Sequence, residues 1–187
     1  ALNRFILEEI YPQAQAEGQN VDLVLNYAPM AWERTLGQVL AGINTARHAR
    51  QHFLCREPRS TDWRAHIPRG MEMVTVDAAF LERAEMDNIR DVAEWVRSSW
   101  GLEDFLARGV GQCLVHEDTI ASWCIGDYAV GYQCEIGIHT DEAHRRRGLA
   151  SLAVQATLEQ CLTRGYTEIG WHCWSNNRAS AATAPEV

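Results

Sequence analysis

Lysine is absent from this sequence of 187 residues, and its side-chain cations, histidine aside, are seventeen arginines. A Walker A phosphate loop, a protein-kinase active site and a pyridoxal-phosphate enzyme each need a particular lysine amine. The composition therefore excludes these classes, together with any mechanism that forms a Schiff base on this chain. Twenty-five acidic residues outweigh the arginines and give a net charge of −8. This balance predicts no nucleic-acid partner held through phosphates, and it favours cationic substrates.

Long apolar runs and paired cysteines are also missing. No stretch approaches the roughly 18 apolar residues of a membrane span, and no secretory signal opens the chain. The six cysteines form no C-x-x-C pair, and most stand in apolar runs such as Gln112–Val115 and Ser122–Ile125. They predict reduced core residues of a cytoplasmic protein without membrane contact. His48 and His52 are four residues apart but lack a third ligand, so we interpret them as a surface pair and predict no metal.

The first part of the chain mixes helical and strand patterns. Helical spacing covers residues 3–16 and 32–43, and strand-like alternation covers residues 21–27 and 51–55. Residues 56–70 hold two prolines and a glycine among charged side chains, which is typical of a connection. We therefore predict a small N-terminal α/β appendage with its connector over residues 1–69.

From Met71 onward the pattern changes to a strand, helices and then three successive strands. Strand patterns cover residues 71–76, 110–116, 120–125, 133–140 and 168–174; helical patterns cover residues 88–100, 103–107 and 146–164, with a last helix from Asn177. This order predicts an α+β domain over residues 70–187. Its mixed, mostly antiparallel sheet would be flanked by helices and would contain one late crossover.

The segment over residues 134–150 carries the most informative chemistry. A strand ends in a short loop, and three arginines at 145–147 with Gly148 then open a helix. Cations oppose the positive end of the helix dipole, so a bound anion would resolve the conflict. Free N–H groups, a glycine and guanidiniums together suit a pyrophosphate. The alternative is a basic surface turn neutralised by Asp141 and Glu142.

The strand before this loop has two different faces. Alternation places Cys134, Ile136 and Ile138 on an apolar face, and Glu135, Gly137 and His139 on the other. A carboxylate on the second face could remove a proton from an ammonium, directly or through water. The alternatives are an ion-pair role for Glu135 and a role for His139 through its backbone alone.

Four segments resemble a known superfamily. R-R-R-G-L-A at 145–150 resembles the R/Q-x-x-G-x-G/A signature of the GNAT acetyltransferases, and Glu135 stands ten residues earlier, where many members carry a strand glutamate. W-H-C-W-S-N-N at 171–177 resembles the next strand and the Asn that follows it. E-I-G-I-H-T at 135–140 and D-W-R-A-H-I-P-R-G at 62–70 are most similar to the zwittermicin-resistance-type subgroup.

The resemblance covers residues 56–187 and implies a GNAT-like fold. It implies transfer of an acetyl group from acetyl-CoA, as co-substrate, to a primary amine of a small molecule or an aminated natural product. The implied catalytic residue is Glu135. The implied donor-binding residues are Ile138, His139 and Thr140 for the pantetheine arm, Arg145, Arg146, Arg147, Gly148, Leu149 and Ala150 for the pyrophosphate, and Asn177. The alternative is a non-catalytic acyl-CoA-binding module that recruits a protein partner, and a homodimer stays open.

The C-terminal end departs from the family pattern. Many members carry a tyrosine, as general acid, seven residues after the Asn, where this chain has Ala184. A thiolate can leave without that help, because thiols ionise near about pH 8.5. Pro185 falls where the last helix should continue, and relatives usually add two strands after Val187. The strand over residues 168–174 would then be an exposed edge, so we expect a missing C-terminal piece or a covering partner chain.

Overall fold

The computed structural model describes residues 2–10, 12, 16 and 30–187, which fall into two compact units, Ala1–His48 and Ala49–Val187. In the first unit, helix α1 (Leu2–Phe5) continues as a π-helical turn (Ile6–Ile10), and helix α2 covers Met30–Val39. The strand predicted over residues 21–27 lies outside the described residues.

The second unit contains six strands and five helices in its described residues. The strands are β1 (Arg50–Cys55), β2 (Met71–Thr75), β3 (Gly111–His116), β4 (Thr119–Val130), β5 (Gln133–Thr140) and β6 (Glu168–Trp174). The helices are α3 (Ala78–Leu81), α4 (Ile89–Ser99), α5 (Leu102–Arg108), α6 (Leu149–Thr163) and α7 (Arg178–Thr183).

One open sheet in the order β1-β6-β5-β4-β3-β2 forms the centre of this unit. All neighbouring strands pair antiparallel except β5 and β6, which run parallel and are joined through α6. A parallel pair needs such a crossover connection. The predicted α+β fold with a mostly antiparallel mixed sheet is therefore confirmed.

Helices cover the two faces of the sheet around β3 and β4. Trp123 and Ile125 belong to the core cluster that contains residues of α4, whereas Cys124 and Ile136 belong to the cluster that contains residues of α6. Each fully buried side chain of this size contributes roughly 1.5–3 kcal/mol. All six cysteines are free thiols, and five are buried. Among the described residues, no helix has the length and apolarity to cross a bilayer.

Strand β1 changes the expectation for the edge beside β6. It pairs antiparallel with β6 over its whole length, from Arg50 with Trp174 to Cys55 with Ile169. The edge that we expected to be exposed is therefore covered by a strand of the same chain. Because β1 belongs to the unit Ala49–Val187, the compact units divide after His48, ahead of the boundary proposed at residues 69 and 70.

Pro185 does not interrupt a helix. Helix α7 ends at Thr183, and residues Ala184–Glu186 form a 3₁₀ turn in which the proline occupies an early position. The missing N–H of proline costs nothing there, because the first N–H groups of a helix have no intrahelical acceptor. The expectation that the last helix continues past this point is wrong.

Candidate active site

Strands β5 and β6 separate halfway along their length. Their parallel ladder runs from Gln133 with Glu168 to Ile136 with Trp171 and ends there. Beyond it, Gly137–Thr140 pairs only with β4 among the described strands. One backbone edge of β5 is therefore open, and an extended ligand could add to it as a strand does.

The loop after β5 is held in place by its own polar side chains. The Asp141 carboxylate accepts from the backbone N–H of Ala143 at 3.0 Å and contacts Nδ1 of His144 at 3.1 Å. The hydrogen bond from His144 holds the pKa of Asp141 below its usual range. Arg145 donates from Nε to the carbonyl of Thr140 at 3.1 Å and from Nη1 to the Glu142 carboxylate at 3.2 Å. The loop is thus tied back to the end of β5.

Helix α6 begins later than the sequence predicts. Arg146 has φ 60° and Gly148 has φ 75°, so the chain enters the helix only at Leu149. The prediction that the helix starts at Arg146 is wrong, because that residue adopts the left-handed region in which a helix cannot propagate. The first helical hydrogen bond runs from the N–H of Leu152 to Gly148 at 3.4 Å, so the N–H groups of residues 149–151 have no intrahelical acceptor.

The three arginines of the loop differ in their surroundings. Arg145 forms an ion pair with Glu142. For this one arginine, the structure therefore agrees with the alternative of a surface turn that is neutralised by neighbouring carboxylates. Arg146 and Arg147 are exposed and have no carboxylate partner within the described part of the chain. Two exposed arginines and the unused N–H groups of α6 therefore lie at the same end of the helix, where an anion is stabilised.

Glu135 lies buried on β5, with 6% of its surface exposed. Its Oε1 accepts a hydrogen bond from Nδ1 of His172 on β6, and its Oε2 lies 3.7 Å from Nε2 of His52 on β1. A Cβ atom on Gly170 would lie 2.0 Å from Oε2, so a larger residue there would displace the carboxylate. The ion-pair alternative for Glu135 thus has two imidazole partners.

Asp127 sits at an irregularity in β4, where the register with β5 shifts between Gly126 and Tyr128. Its Oδ1 accepts from the indole N–H of Trp95 at 2.6 Å, and burial raises the pKa of its carboxyl. A Cβ atom on Gly137 would lie 2.3 Å from the Trp95 ring. Gly137 is therefore covered by this ring.

His139 packs against the core beside the open edge. Its ring stacks on Trp123, with 4.5 Å between ring centroids and 28° between the planes. Burial lowers the pKa of its imidazole. The stacking leaves the backbone of His139 on the open edge of β5, which agrees with the alternative in which only its backbone takes part.

Asn177 caps helix α7. Its Oδ1 accepts from the backbone N–H of Ser180 at 3.1 Å, and the Ser180 hydroxyl accepts from the indole of Trp171 at 3.0 Å. The predicted start of the last helix at this Asn is confirmed. Ala184, at the position of the expected tyrosine, is half-buried in the apolar cluster that contains residues of α6.

A cleft of about 240 Å³ opens beside Glu135. Its walls and floor are formed by His52, Leu54, Tyr128, Val130, Gln133, Cys134, Glu135, Glu168 and Gly170. Leu54, Tyr128 and Val130 are exposed apolar side chains, so the cleft combines apolar walls with a carboxylate on its floor. No arginine lines it, and Glu168 is already engaged by Arg56 at 3.1 Å.

The histidines of this site escaped the sequence analysis. His52 was interpreted only as half of a surface pair with His48, and the strand predicted over residues 51–55 is β1, which places this histidine near Glu135. His172 alternates with buried Trp171 and Cys173, so it belongs to the opposite face of β6. That alternation was visible in the sequence, but the pairing that brings β6 and β1 beside Glu135 was not. Among the described residues, no cluster of three or more His, Cys, Asp or Glu side chains could hold a metal ion.

Comparisons with known proteins agree with the fold. The sequence profile of the GNAT acetyltransferase family matches residues 3–187. The chain is 23% identical over 157 residues to an uncharacterized N-acetyltransferase, YdfB, of Bacillus subtilis (strain 168), covering 83% of this chain and 58% of YdfB.

Two solved structures have the same fold. A GCN5-related N-acetyltransferase-like protein from Streptococcus suis has a TM-score of 0.56 at 20% identity, over 84% of this chain and 63% of that protein. A tandem GNAT protein from the clavulanic acid biosynthesis pathway has a TM-score of 0.56 at 16% identity, over 97% of this chain and 66% of that protein. The chain thus spans about three-fifths of YdfB and of the S. suis protein. With a profile match over nearly its whole length, the chain belongs to the GNAT acetyltransferase family.

Proposed function

We propose that this chain is an acetyl-CoA-dependent N-acetyltransferase that acts on a primary amine of a small molecule or an aminated natural product. The observation that carries the proposal is the buried carboxylate of Glu135 at the floor of a cleft, two residues before the open edge of β5. A base in that position can take a proton from an amine as the amine attacks a thioester.

Donor binding follows from the open edge and the loop. The backbone of Ile138, His139 and Thr140 would pair with the pantetheine arm, and Asn177 would approach it from the far side of the opening. The backbone N–H groups from Arg146 to Ala150 would receive the pyrophosphate, whereas that of Arg145 donates to the carbonyl of Glu142 at 3.4 Å. Arg146 and Arg147 would add charge-assisted hydrogen bonds, whereas Arg145 already holds the loop to Thr140.

The proposed chemistry is direct transfer. The neutral amine attacks the thioester carbonyl, and a strand N–H near Ile138 or His139 stabilises the developing oxyanion. CoA then leaves as a thiolate or thiol. No tyrosine stands at position 184, so the leaving group would depart without a dedicated acid.

The acceptor is proposed to be an amine with one apolar or aromatic substituent. Leu54, Tyr128 and Val130 offer it an apolar wall, and Glu135 offers its ammonium group a carboxylate. A cation beside the Tyr128 ring would also be attracted by the π-system. The resemblance to zwittermicin-resistance-type enzymes stays a prediction, and it would fit an aminated natural product as acceptor.

The test measures thiol release from acetyl-CoA with phenethylamine and, as a polar control, ethanolamine. We expect turnover with phenethylamine to exceed that with ethanolamine by about tenfold in kcat/KM, because burying a phenyl ring stabilises the complex by a few kcal/mol at most. Glu135→Gln should lower kcat by roughly 10²–10³-fold while acetyl-CoA binding by calorimetry stays unchanged. Acetyl-CoA binding without thiol release from any primary amine would favour the non-catalytic binding module instead.

A matched set of arginine variants tests the donor site. Arg146→Ala and Arg147→Ala should each weaken acetyl-CoA binding by about ten- to a hundredfold, since a charge-assisted hydrogen bond is worth roughly 1.5–3 kcal/mol. Arg97→Ala removes an exposed arginine from α4, on the other face of the sheet, and should leave the affinity unchanged. Equal affinities for all three variants would contradict the proposed pyrophosphate site.

A further inference from the structure

Three strands bring titratable side chains together on the face of the sheet that holds the cleft. Glu135 comes from β5, His172 from β6 and His52 from β1. His52 and His172 are direct partners in the β1–β6 ladder, and Glu135 is paired with Gly170, two residues before His172. The register of the sheet therefore fixes the three side chains as one group.

The two oxygens of Glu135 have different surroundings. Oε1 is occupied, because it accepts a hydrogen bond from Nδ1 of His172. Oε2 has no hydrogen-bond donor within the described part of the chain, and it lies 3.7 Å from Nε2 of His52. The missing side chain of Gly170 provides the room for Oε2. This leaves Oε2 as the oxygen that can accept a proton from the cleft.

Exposure to solvent increases across the group. The side chain of Glu135 is 7% exposed, that of His172 is 17% exposed and that of His52 is 61% exposed. Water thus has little direct access to Glu135, whereas His52 reaches solvent. A small rotation of the exposed ring would bring Nε2 of His52 from 3.7 Å to hydrogen-bond distance of Oε2.

We propose that His172 and His52 serve Glu135 as an acid–base relay: His172 is a positioning residue that holds Oε1, and His52 passes the proton from Oε2 to solvent. This inference rests on the proposed function, because it assigns roles around the same base. His172 acts only through Glu135. His52 lines the cleft and carries the proton outward.

The proton balance of the reaction requires such an exit. An acceptor that enters as R–NH₃⁺ loses two protons as the C–N bond forms and the C–S bond breaks, and the electron pair of the C–S bond leaves with the sulfur. One proton can remain with the released CoA thiol. The other moves from the amine nitrogen to Oε2 of Glu135, then to Nε2 of His52, and leaves from Nδ1 of that ring to water.

Neighbouring charged groups leave the relay intact. Asp127 accepts the indole N–H of Trp95 through Oδ1, and Nδ1 of His172 is already held by Oε1 of Glu135. The Glu168 carboxylate is engaged by Arg56 and by Gln133. Among the described carboxylates beside the cleft, Glu135 is therefore the one that contacts both imidazoles and can exchange a proton with them.

The positioning role is tested by a pair of substitutions at position 172. His172→Phe keeps a ring but removes the donor, and it should lower kcat by about a hundredfold with the KM for acetyl-CoA unchanged, because misplacing a reacting group by about 1 Å can cost this much. His172→Asn can present an amide N–H near the position of Nδ1, so it should recover at least tenfold of that loss. Equal kcat values for Phe, Asn and the unsubstituted protein would overturn the positioning role.

The relay role is tested by chemical rescue. His52→Ala should lower kcat by about tenfold, less than the roughly 10²–10⁴-fold contribution of a group that takes the proton from the reactant itself, and imidazole added to the buffer should restore most of the lost rate. His66→Ala removes another exposed histidine, outside the cleft, and should respond to neither change. A His52→Ala variant with full activity, or one that imidazole does not rescue, would overturn the relay.

A measurement without turnover separates this inference from the proposed function. Nitrogen-15 spectra of the histidine rings should show the proton of His172 on Nδ1, because Glu135 accepts from that nitrogen. Glu135→Ala should shift the ring toward the Nε2–H tautomer. An unchanged tautomer would overturn the inference even if amines are acetylated, whereas a changed tautomer without any acetylation would support the pairing and contradict the proposed function.

Discussion

At the scale of single residues, glycine at position 170 decides where the Glu135 carboxylate can lie. Gly170→Ala would place a Cβ atom 2.0 Å from Oε2 of Glu135, so the carboxylate must move. Since that oxygen belongs to a side chain that can shift, we expect a modest loss of stability, up to about 1 kcal/mol. We expect a fall in kcat of about tenfold or more, because the displaced carboxylate is the proposed base. Steady-state kinetics and urea unfolding of the same variant separate the two effects.

The matched control for this substitution is Gly37→Ala in helix α2. A Cβ atom there would meet nothing within 4 Å, and alanine favours a helix over glycine by about 0.5–1 kcal/mol. The control should therefore keep full activity with equal or higher stability. A Gly170→Ala variant with the kinetics of the control would show that Oε2 does not need its present position.

The second residue-scale prediction concerns the pH dependence of stability through Asp127. Burial raises the pKa of this carboxyl above its ordinary value of 3.8, so the folded protein binds the proton more tightly than the unfolded chain does. Ionisation then costs stability as the pH rises from 3.8 through the folded-state pKa. Asp127→Asn keeps an oxygen for Trp95 and loses this cost, so its stability relative to the unsubstituted protein should be greater at pH 7 than at pH 4. Urea unfolding at both pH values measures the stability difference between Asp127→Asn and the unsubstituted protein. The same difference at pH 4 and pH 7 would contradict the prediction.

At the scale of elements, β1 is the strand whose role is most readily tested. N–H groups of alternate residues in an antiparallel ladder point toward the partner strand. Of the neighbours Phe53 and Leu54, one N–H therefore bonds β6 and the other points outward from the edge. Phe53→Pro and Leu54→Pro are compared with Phe53→Ala and Leu54→Ala. One of the two proline variants should lose about 1–3 kcal/mol more of the free energy of unfolding than its alanine control, and the other should lose little more.

Hydrogen exchange of the β6 amides is the measurement for this prediction. The damaging proline should speed exchange across Glu168–Trp174, because those amides lose their antiparallel partner. The tolerated proline and both alanine variants should leave it nearly unchanged. Two proline variants with equal effects would contradict the placement of β1 as an edge strand that is paired with β6 alone.

Elements with clear alternation could be predicted from the sequence, and elements fixed by distant contacts could not. The bounds of β5 and β6 agree with prediction, since both strands alternate strictly between two faces. The start of α6 was predicted three residues early, because nothing in three consecutive arginines reveals that Arg146 has a positive φ. The strand β1 was predicted, but its partner was not, since more than a hundred residues separate β1 from β6.

The candidate site shows the same limit. Glu135 could be singled out because an acidic residue interrupts an apolar strand next to a basic loop. His172 and His52 could not, because their importance depends on the β1–β6 and β5–β6 registers rather than on neighbouring residues. The loop proposed to bind pyrophosphate was singled out from local sequence, but the engagement of Arg145 by Thr140 and Glu142 depends on the folded loop.

At the scale of the whole molecule, the sequence and the structure place the boundary of the sheet unit at different residues. The sequence places the boundary after residue 69, at the end of a charged, proline-containing connection. The compact units divide after His48 instead. The difference is the segment over residues 49–69, which contains β1 and a 3₁₀ turn over Trp63–His66.

That segment is attached to the sheet unit by specific contacts. Trp63 is buried in a cluster with Leu149 and Leu152 of α6, and its indole N–H donates to Glu159 at 2.7 Å. Arg64 adds two hydrogen bonds to the same carboxylate, which hold the pKa of Glu159 below its usual range. The connection is therefore part of the packed structure, although its composition is typical of a linker.

Two shortened chains distinguish these boundaries. A chain starting at Ala49 keeps β1, the Trp63 contact and all of the proposed site residues, so it should unfold in one cooperative transition and bind acetyl-CoA as the 187-residue chain does. A chain starting at Gly70 lacks the strand that covers β6, and an uncovered edge strand promotes association between chains. It should aggregate, which light scattering would detect, and calorimetric titration should find a smaller fraction of chains able to bind acetyl-CoA. A monodisperse chain from Gly70 with full affinity would instead favour the later boundary, and it would reduce β1 to an accessory of a sheet that folds without it.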